Sequence, residues 1–180
     1  ESLESAPNVT TVLNQDYGMY YMAFNMRKSP MDVREFRQAV ATLIDRELPG
    51  TDIPESTDVL WTVMPEGNVF WHNPAAPHIG EGLTRQERIS DTVDLLTSAN
   101  FTWTVQPAWD PVNQEVIPGQ GLYYSGTLVP EIELLAPNFD CDPLRATAAL
   151  STEQWLREAG ISITAVLTDF DHIIGPVFGN

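Results

Sequence analysis

Three kinds of side chain in this sequence could do chemistry: histidines, closely spaced acids and tryptophans in loop-like stretches. His72 and His78 stand six apart in a Pro-rich run, and His172 is far along the chain. Three imidazoles could share a metal, but no H-E-x-x-H or Cys–His spacing calls for one. The stretch Asn138-Phe139-Asp140-Cys141-Asp142 puts carboxylates at alternate positions beside an amide, as at the start of a calcium loop. The later Gly and Glu of such a loop are missing, and Asp142 before Pro143 reads more simply as a helix cap. Asp169 and Asp171 follow an apolar run, where α/β folds present carboxylates to a ligand such as an amine. Glu131 and Glu133 alternate on one strand face and read as solvated. Gly119-Gln120-Gly121 lacks the lysine and capped helix of a phosphate loop, and no G-x-S-x-G elbow exists. No nucleophile, base and orienter can be nominated as a set, so no catalytic residue, metal or cofactor is expected. A hydrolase would need His72 or His172 within hydrogen-bond reach of a carboxylate in a closed pocket. Trp61, Trp71, Trp103 and Trp109 fall in or near loops, where they either line a cleft or anchor the loops to a core.

These residues need elements to hold them. Val9–Leu13 reads as a short strand after a polar entry. Residues 17–25 are apolar and aromatic without clean alternation, which suits a strand covered on both faces. The clearest helix follows. Asp32 and Glu35 have capping-box spacing, Phe36, Ala39, Val40, Leu43 and Ile44 recur at helical spacing, and Pro49-Gly50 stops it. Residues 50–82 read as a long ordered loop, pinned to the core by Trp61, Val63, Phe70 and Trp71. A second helix spans about 84–98, with Thr84 and Glu87 as its capping box. Residues 101–105 alternate as a strand, and a Pro/Gly-rich stretch covers 106–130. A strand at 131–136, a helix from Asp142-Pro143 to Gly160 and a strand at 161–167 complete a crossover unit. Its strands should be parallel and its hand right. The order places the chain in the α/β or α+β classes.

Length and charge agree with one core. The 180 residues suffice for a single domain. Nine basic against 25 acidic residues give −16, and Lys28 is the sole lysine. Such a surface repels phosphate backbones and anionic headgroups, so nucleic acid is not an expected partner. No apolar run approaches a membrane span. The single Cys141 excludes an internal disulfide and reads as a buried, inert thiol.

One stretch goes further. Phe24-Asn25, Arg27, Pro30, Val33-Arg34, Arg37-Gln38-Ala39 and Ile44-Asp45-Arg46-Glu47 follow a strand, loop and helix pattern. It resembles extracellular solute-binding protein family 5, the substrate-binding proteins of peptide and nickel ABC importers. Leu95-Leu96 with Ala99-Asn100-Phe101, Glu133–Pro137, and Trp155-Leu156 with Ala159-Gly160-Ile161 agree more weakly, and Asn100 stands where a glycine is usual. The resemblance covers about residues 17–178.

It implies an α/β, periplasmic-binding-protein-like (type II) lobe with a mixed sheet flanked by helices. Residues 1–180 would be a single domain, the second lobe of a larger two-lobe protein. The implied function is capture of a peptide or similar small solute by lobe closure, outside the cytoplasm. The implied partners are that ligand, the missing first lobe and the membrane permease of an ABC importer, with a membrane tether on the full-length protein. Implied ligand contacts are Asn25, Trp103, Trp109, Tyr123, Asp169 and Asp171. A sensing or interaction domain of the same fold in a regulatory protein is the alternative.

Overall fold

The computed structural model describes residues 10, 18–47 and 58–178. The expected strand at Val9–Leu13 lies outside them except for Thr10. Helix α1 (Arg34–Leu43) buries Phe36, Ala39, Val40 and Leu43 on one face. Its cap differs from expectation. The N-cap is Val33, with no side-chain bond. A tight turn supplies the start instead, with Val33 N donating to Pro30 O at 3.0 Å and Arg37 Nη1 to Met31 O at 2.7 Å. The helix also ends early. Its last carbonyls are taken from across the fold, because Arg88 Nη1 donates to Thr42 O at 2.8 Å and Ile44 O at 3.1 Å. Cations at a helix C-terminus satisfy orphan carbonyls and complement the dipole.

Helix α2 (Arg85–Ser98) has the full capping box between Thr84 and Glu87. It packs on α1 through Ile89, Thr92 and Leu96. Strand β1 (Phe101–Val105) follows, then β2 (Ala108–Asp110), β3 (Glu115–Ile117), β4 (Gln120–Tyr124) and β5 (Thr127–Leu128). β1, β4 and β5 form an antiparallel ladder, and β2 and β3 form a separate hairpin. The turn of that hairpin is closed by Asp110. Its carboxylate accepts from Val112 N at 2.8 Å, Asn113 N at 3.2 Å and Asn113 Nδ2 at 2.8 Å. These donors, Val112 first, hold its pKa below the ordinary value.

The last part is the expected crossover. Strand β6 (Ile132–Pro137), helix α3 (Pro143–Glu158) and strand β7 (Ile163–Thr168) make a parallel pair, in register from Ile132↔Ile163 to Pro137↔Thr168. Pro143 opens α3 behind its Asp142 cap, and Gly160 closes the turn at φ 79°. Helix α4 (Phe170–Phe178) packs on β6. One core joins these pieces. Phe101 stacks between Phe36 (5.8 Å) and Tyr124 (4.5 Å), and Leu96, Leu122, Leu156, Ile161 and Ile163 close around them. Arg85 pairs with Glu158, tying the start of α2 to the end of α3. No described helix is long and apolar enough to cross a membrane.

Residues 18–25 differ from the expected buried strand, and Tyr17 lies outside the described residues. Among the described residues they join no ladder. Met22 and Phe24 rest half-buried against the core, while Tyr21, Ala23 and Asn25 face outward.

Candidate functional site

Parallel strands end where the crossover helix begins, and that edge is where open α/β sheets bind ligands. Here Asn138 organises it. Its N–H donates to Thr168 O at 3.0 Å, extending the β6–β7 ladder by one bond. Its side-chain Nδ2 donates to Asp169 Oδ1 at 2.7 Å, and its Oδ1 accepts from Cys141 N at 3.0 Å. One amide therefore fixes the first carboxylate after β7 and the turn after β6. Asp142 then caps α3, accepting from Arg145 N at 3.0 Å and Arg145 Nε at 2.7 Å. Arg145 in turn lies over the Tyr20 ring, 4.9 Å from its centroid.

Asp169 and Asp171 are exposed beside this turn, with Asp171 in the first turn of α4. Asp140, in the same turn as Asn138, is also exposed, and the nearby cation Arg145 is paired with Asp142. The balance is acidic, and the chemistry is attraction of a cationic group such as an amine. No group of three metal-ligating side chains meets among the described residues. Cys141 is exposed, contrary to the buried thiol expected. The turn that Asn138 caps carries it at the surface.

The other expected contacts lie elsewhere. Asn25 is exposed on the 18–25 segment, and its Oδ1 accepts from Arg27 N at 3.2 Å and Arg27 Nε at 3.3 Å. Trp103 is half-buried on β1, with its indole N–H on Ala159 O at 2.9 Å. Trp109 sits half-buried on β2 opposite Val116. Tyr123 lies on β4 between Thr102 and Leu128. The structure thus gathers Asp169 and Asp171 at one edge and spreads the aromatic candidates over the antiparallel ladders. Sequence reasoning set the Asn138 amide beside Asp140 and Asp142 in a calcium-loop reading, and its role as organiser of Asp169 was missed. The signal available was its place just after a strand and four residues before a helix cap.

The histidines stand apart as well. His72 Nδ1 donates to Met64 O at 3.1 Å. His78 bonds Glu81 Oε2 at 2.7 Å, and His172 is exposed. One open depression, about 430 Å³, lies by Gly119–Leu122, Leu128–Glu131, Arg157 and Gly160–Ser162. It borders the starts of β6 and β7, the opposite end from Asp169.

No protein-family model and no curated protein matches the sequence. Solved structures do match the fold. NikA from Brucella suis, in complex with Fe(III)-EDTA, is 17% identical with a TM-score of 0.55, over 85% of this chain and 26% of that one. The oligopeptide-binding protein AppA from Bacillus subtilis, in complex with a nonapeptide, is 15% identical at 0.58, over 84% and 26%. The periplasmic murein tripeptide binding protein MppA, in its unliganded open form, is 16% identical at 0.55, over 84% and 24%. The match spans about a quarter of the length of each of these proteins. The chain has the α/β fold of a periplasmic-binding-protein-like lobe, with parallel and antiparallel pairing flanked by helices.

Proposed function

We propose that this chain is the second lobe of a two-lobe solute-binding protein. The whole protein captures a peptide or similar small solute outside the cytoplasm, tethered to the membrane, and passes it to the permease of an ABC importer. One observation carries the reading. Some 84–85% of the chain follows about a quarter of proteins solved with a nonapeptide or with Fe(III)-EDTA. A lobe of that kind offers half a site, and closure of a second lobe supplies the enclosure that affinity needs.

The edge after β6 and β7 suits that role. Asp169, held by Asn138, and Asp171 receive a cationic end of the solute. Asn25, Trp109 and Tyr123 are assigned weaker contacts, and Trp103 contributes only its exposed ring edge, since its N–H is committed to Ala159. The test is native mass spectrometry of the full parent polypeptide. A retained solute of a few hundred daltons, lost in an Asp169→Asn, Asp171→Asn variant, is the expected result. Turnover of the retained solute, or retention unchanged by the double substitution, overturns the assignment.

A further inference from the structure

The 58–82 excursion is built from two unlike parts. Its base is clamped. Arg46 Nη1 donates to Ile79 O at 3.0 Å, and the Arg46 guanidinium lies 4.6 Å from the centre of a Trp61 ring. Trp61 stacks on His78 at 6.1 Å, and His78 bonds Glu81. Beneath, buried Gly80 at φ +83° leaves room for Arg88, whose Nη1 would lie 2.9 Å from any Cβ added there. The tip is ordered too. Asn68 O accepts from Trp71 N at 3.0 Å and His72 N at 2.9 Å, and the His72 ring bonds back to Met64 O. Residues 63 and 71 are thereby drawn into one neighbourhood.

That ordered tip faces outward. Val63, Val69, Phe70 and Trp71 are 81%, 76%, 91% and 76% exposed. The expectation that Val63, Phe70 and Trp71 pin the loop to the core is wrong, and half-buried Trp61 packs on Arg46 and His78. Large apolar residues held outward by a hydrogen-bonded scaffold mark an interaction surface. Its charge narrows the partner. Glu66 lies in the tip, Asp58 and Glu81 lie at the two ends of the excursion, and residues 58–82 contain no Lys or Arg. A second copy, itself at −16, and an anionic bilayer are both repelled. What fits is an apolar recess with a basic rim.

We infer that the Val63–Trp71 tip docks into such a recess on the first lobe of the same polypeptide. This rests on the two-lobe reading above. The supporting fact is that about three-quarters of each matched protein lies outside the matched part, so a lobe of this kind has a large neighbour in its own chain. The tip then acts as a latch between lobes.

Thiol accessibility tests it. Phe70→Cys and Val112→Cys are made separately in a Cys141→Ser background of the full-length protein. Val112 is 86% exposed on the β2–β3 turn and serves as the reference. Reaction with a water-soluble disulfide reagent should be at least tenfold slower at position 70 than at 112. In the 180-residue chain alone the two rates should agree. Equal rates in a full-length protein with both lobes overturn the latch while leaving the two-lobe reading standing. Slow reaction at position 70 in the 180-residue chain also overturns it, because the chain itself would then cover the tip. A parent reading frame with no other lobe removes the reading and the latch together.

Discussion

Residues 131–168 are held by a backbone ladder, and residues 58–82 by local turn bonds and a few side chains. In the first region six residue pairs of β6 and β7 share a parallel ladder, α3 packs across both, and Ala146, Ala149, Thr152 and Leu156 are buried beneath it. In the second no helix or strand forms. Order there comes from one guanidinium on one indole, its bond to Ile79 O and a few turn bonds. A ladder spreads its stabilisation over many bonds. A clasp concentrates it in a few side chains, and its outer face is left free to meet something else.

Removing the same kind of ring from each kind of region should expose the contrast most. Phe101 is 1% exposed within a three-ring stack, so Phe101→Ala should cost about 3–5 kcal/mol of unfolding free energy in urea. Phe70→Ala removes a ring that is 91% exposed and should change stability by less than about 0.5 kcal/mol. Comparable costs would erase the distinction. The next effect separates backbone strain from crowding. Gly126 and Gly160 both sit at φ 79°. A Cβ at Gly126 meets nothing within 4 Å, whereas at Gly160 it falls 2.9 Å from Gly119 C and Trp103 Cδ1. Gly126→Ala should cost about 1 kcal/mol and Gly160→Ala about 2–3 kcal/mol, with altered fluorescence from a displaced Trp103.

The same contrast explains what could be read from residues alone. The caps of α2 and α3 were legible because Thr84–Glu87 and Asp142-Pro143 carry their partners within a few positions. The crossover unit was legible because its apolar runs are long and cleanly bounded. The end of α1 was not, since Arg85 and Arg88 reach it from more than 40 positions away. Strands β2, β3 and β5 were hidden by their shortness, and β4, as long as β1, by the Gly119-Gln120-Gly121 run at its start. Ser125-Gly126, with φ of 50° and 79°, is a two-residue hairpin signal that lay in view. At the candidate site, the position of Asp169 and Asp171 just past a strand was legible from the apolar run before them. Asn138 was missed as their organiser because the bond from residue 138 to 169 exists only once β6 and β7 pair.

The clasp itself should loosen with one substitution. Arg46→Met deletes the cation over Trp61 and the donor to Ile79. Burial of Arg46, and then the nearby Arg88 charge, lower its pKa, so the methionine also relieves a desolvated charge. The net loss should be about 1 kcal/mol and local. Amide exchange in residues 61–80 should quicken about fivefold, while the β6–β7 amides stay unchanged. Uniform quickening across both regions would mean that the excursion unfolds only with the core.

The smallest effect tests whether a read-from-sequence cap works as the geometry says. Glu87 accepts from the Thr84 hydroxyl at 2.7 Å and from Thr84 N–H at 2.8 Å. These bonds, the hydroxyl first, hold its pKa below the ordinary 4.5. A carboxylate whose pKa is lower folded than unfolded stabilises the fold fully above about pH 4.5, and that support fades as pH falls through the folded value. Thr84→Val keeps the N–H and deletes the hydroxyl. The Glu87 titration followed by NMR should move back toward 4.5, and the small acid-side loss of stability in this window should shrink with it. A titration that stays put would assign the shift to the backbone N–H alone, and the capping box would then be a backbone device like the β6–β7 ladder and not a side-chain one like the Arg46 clasp.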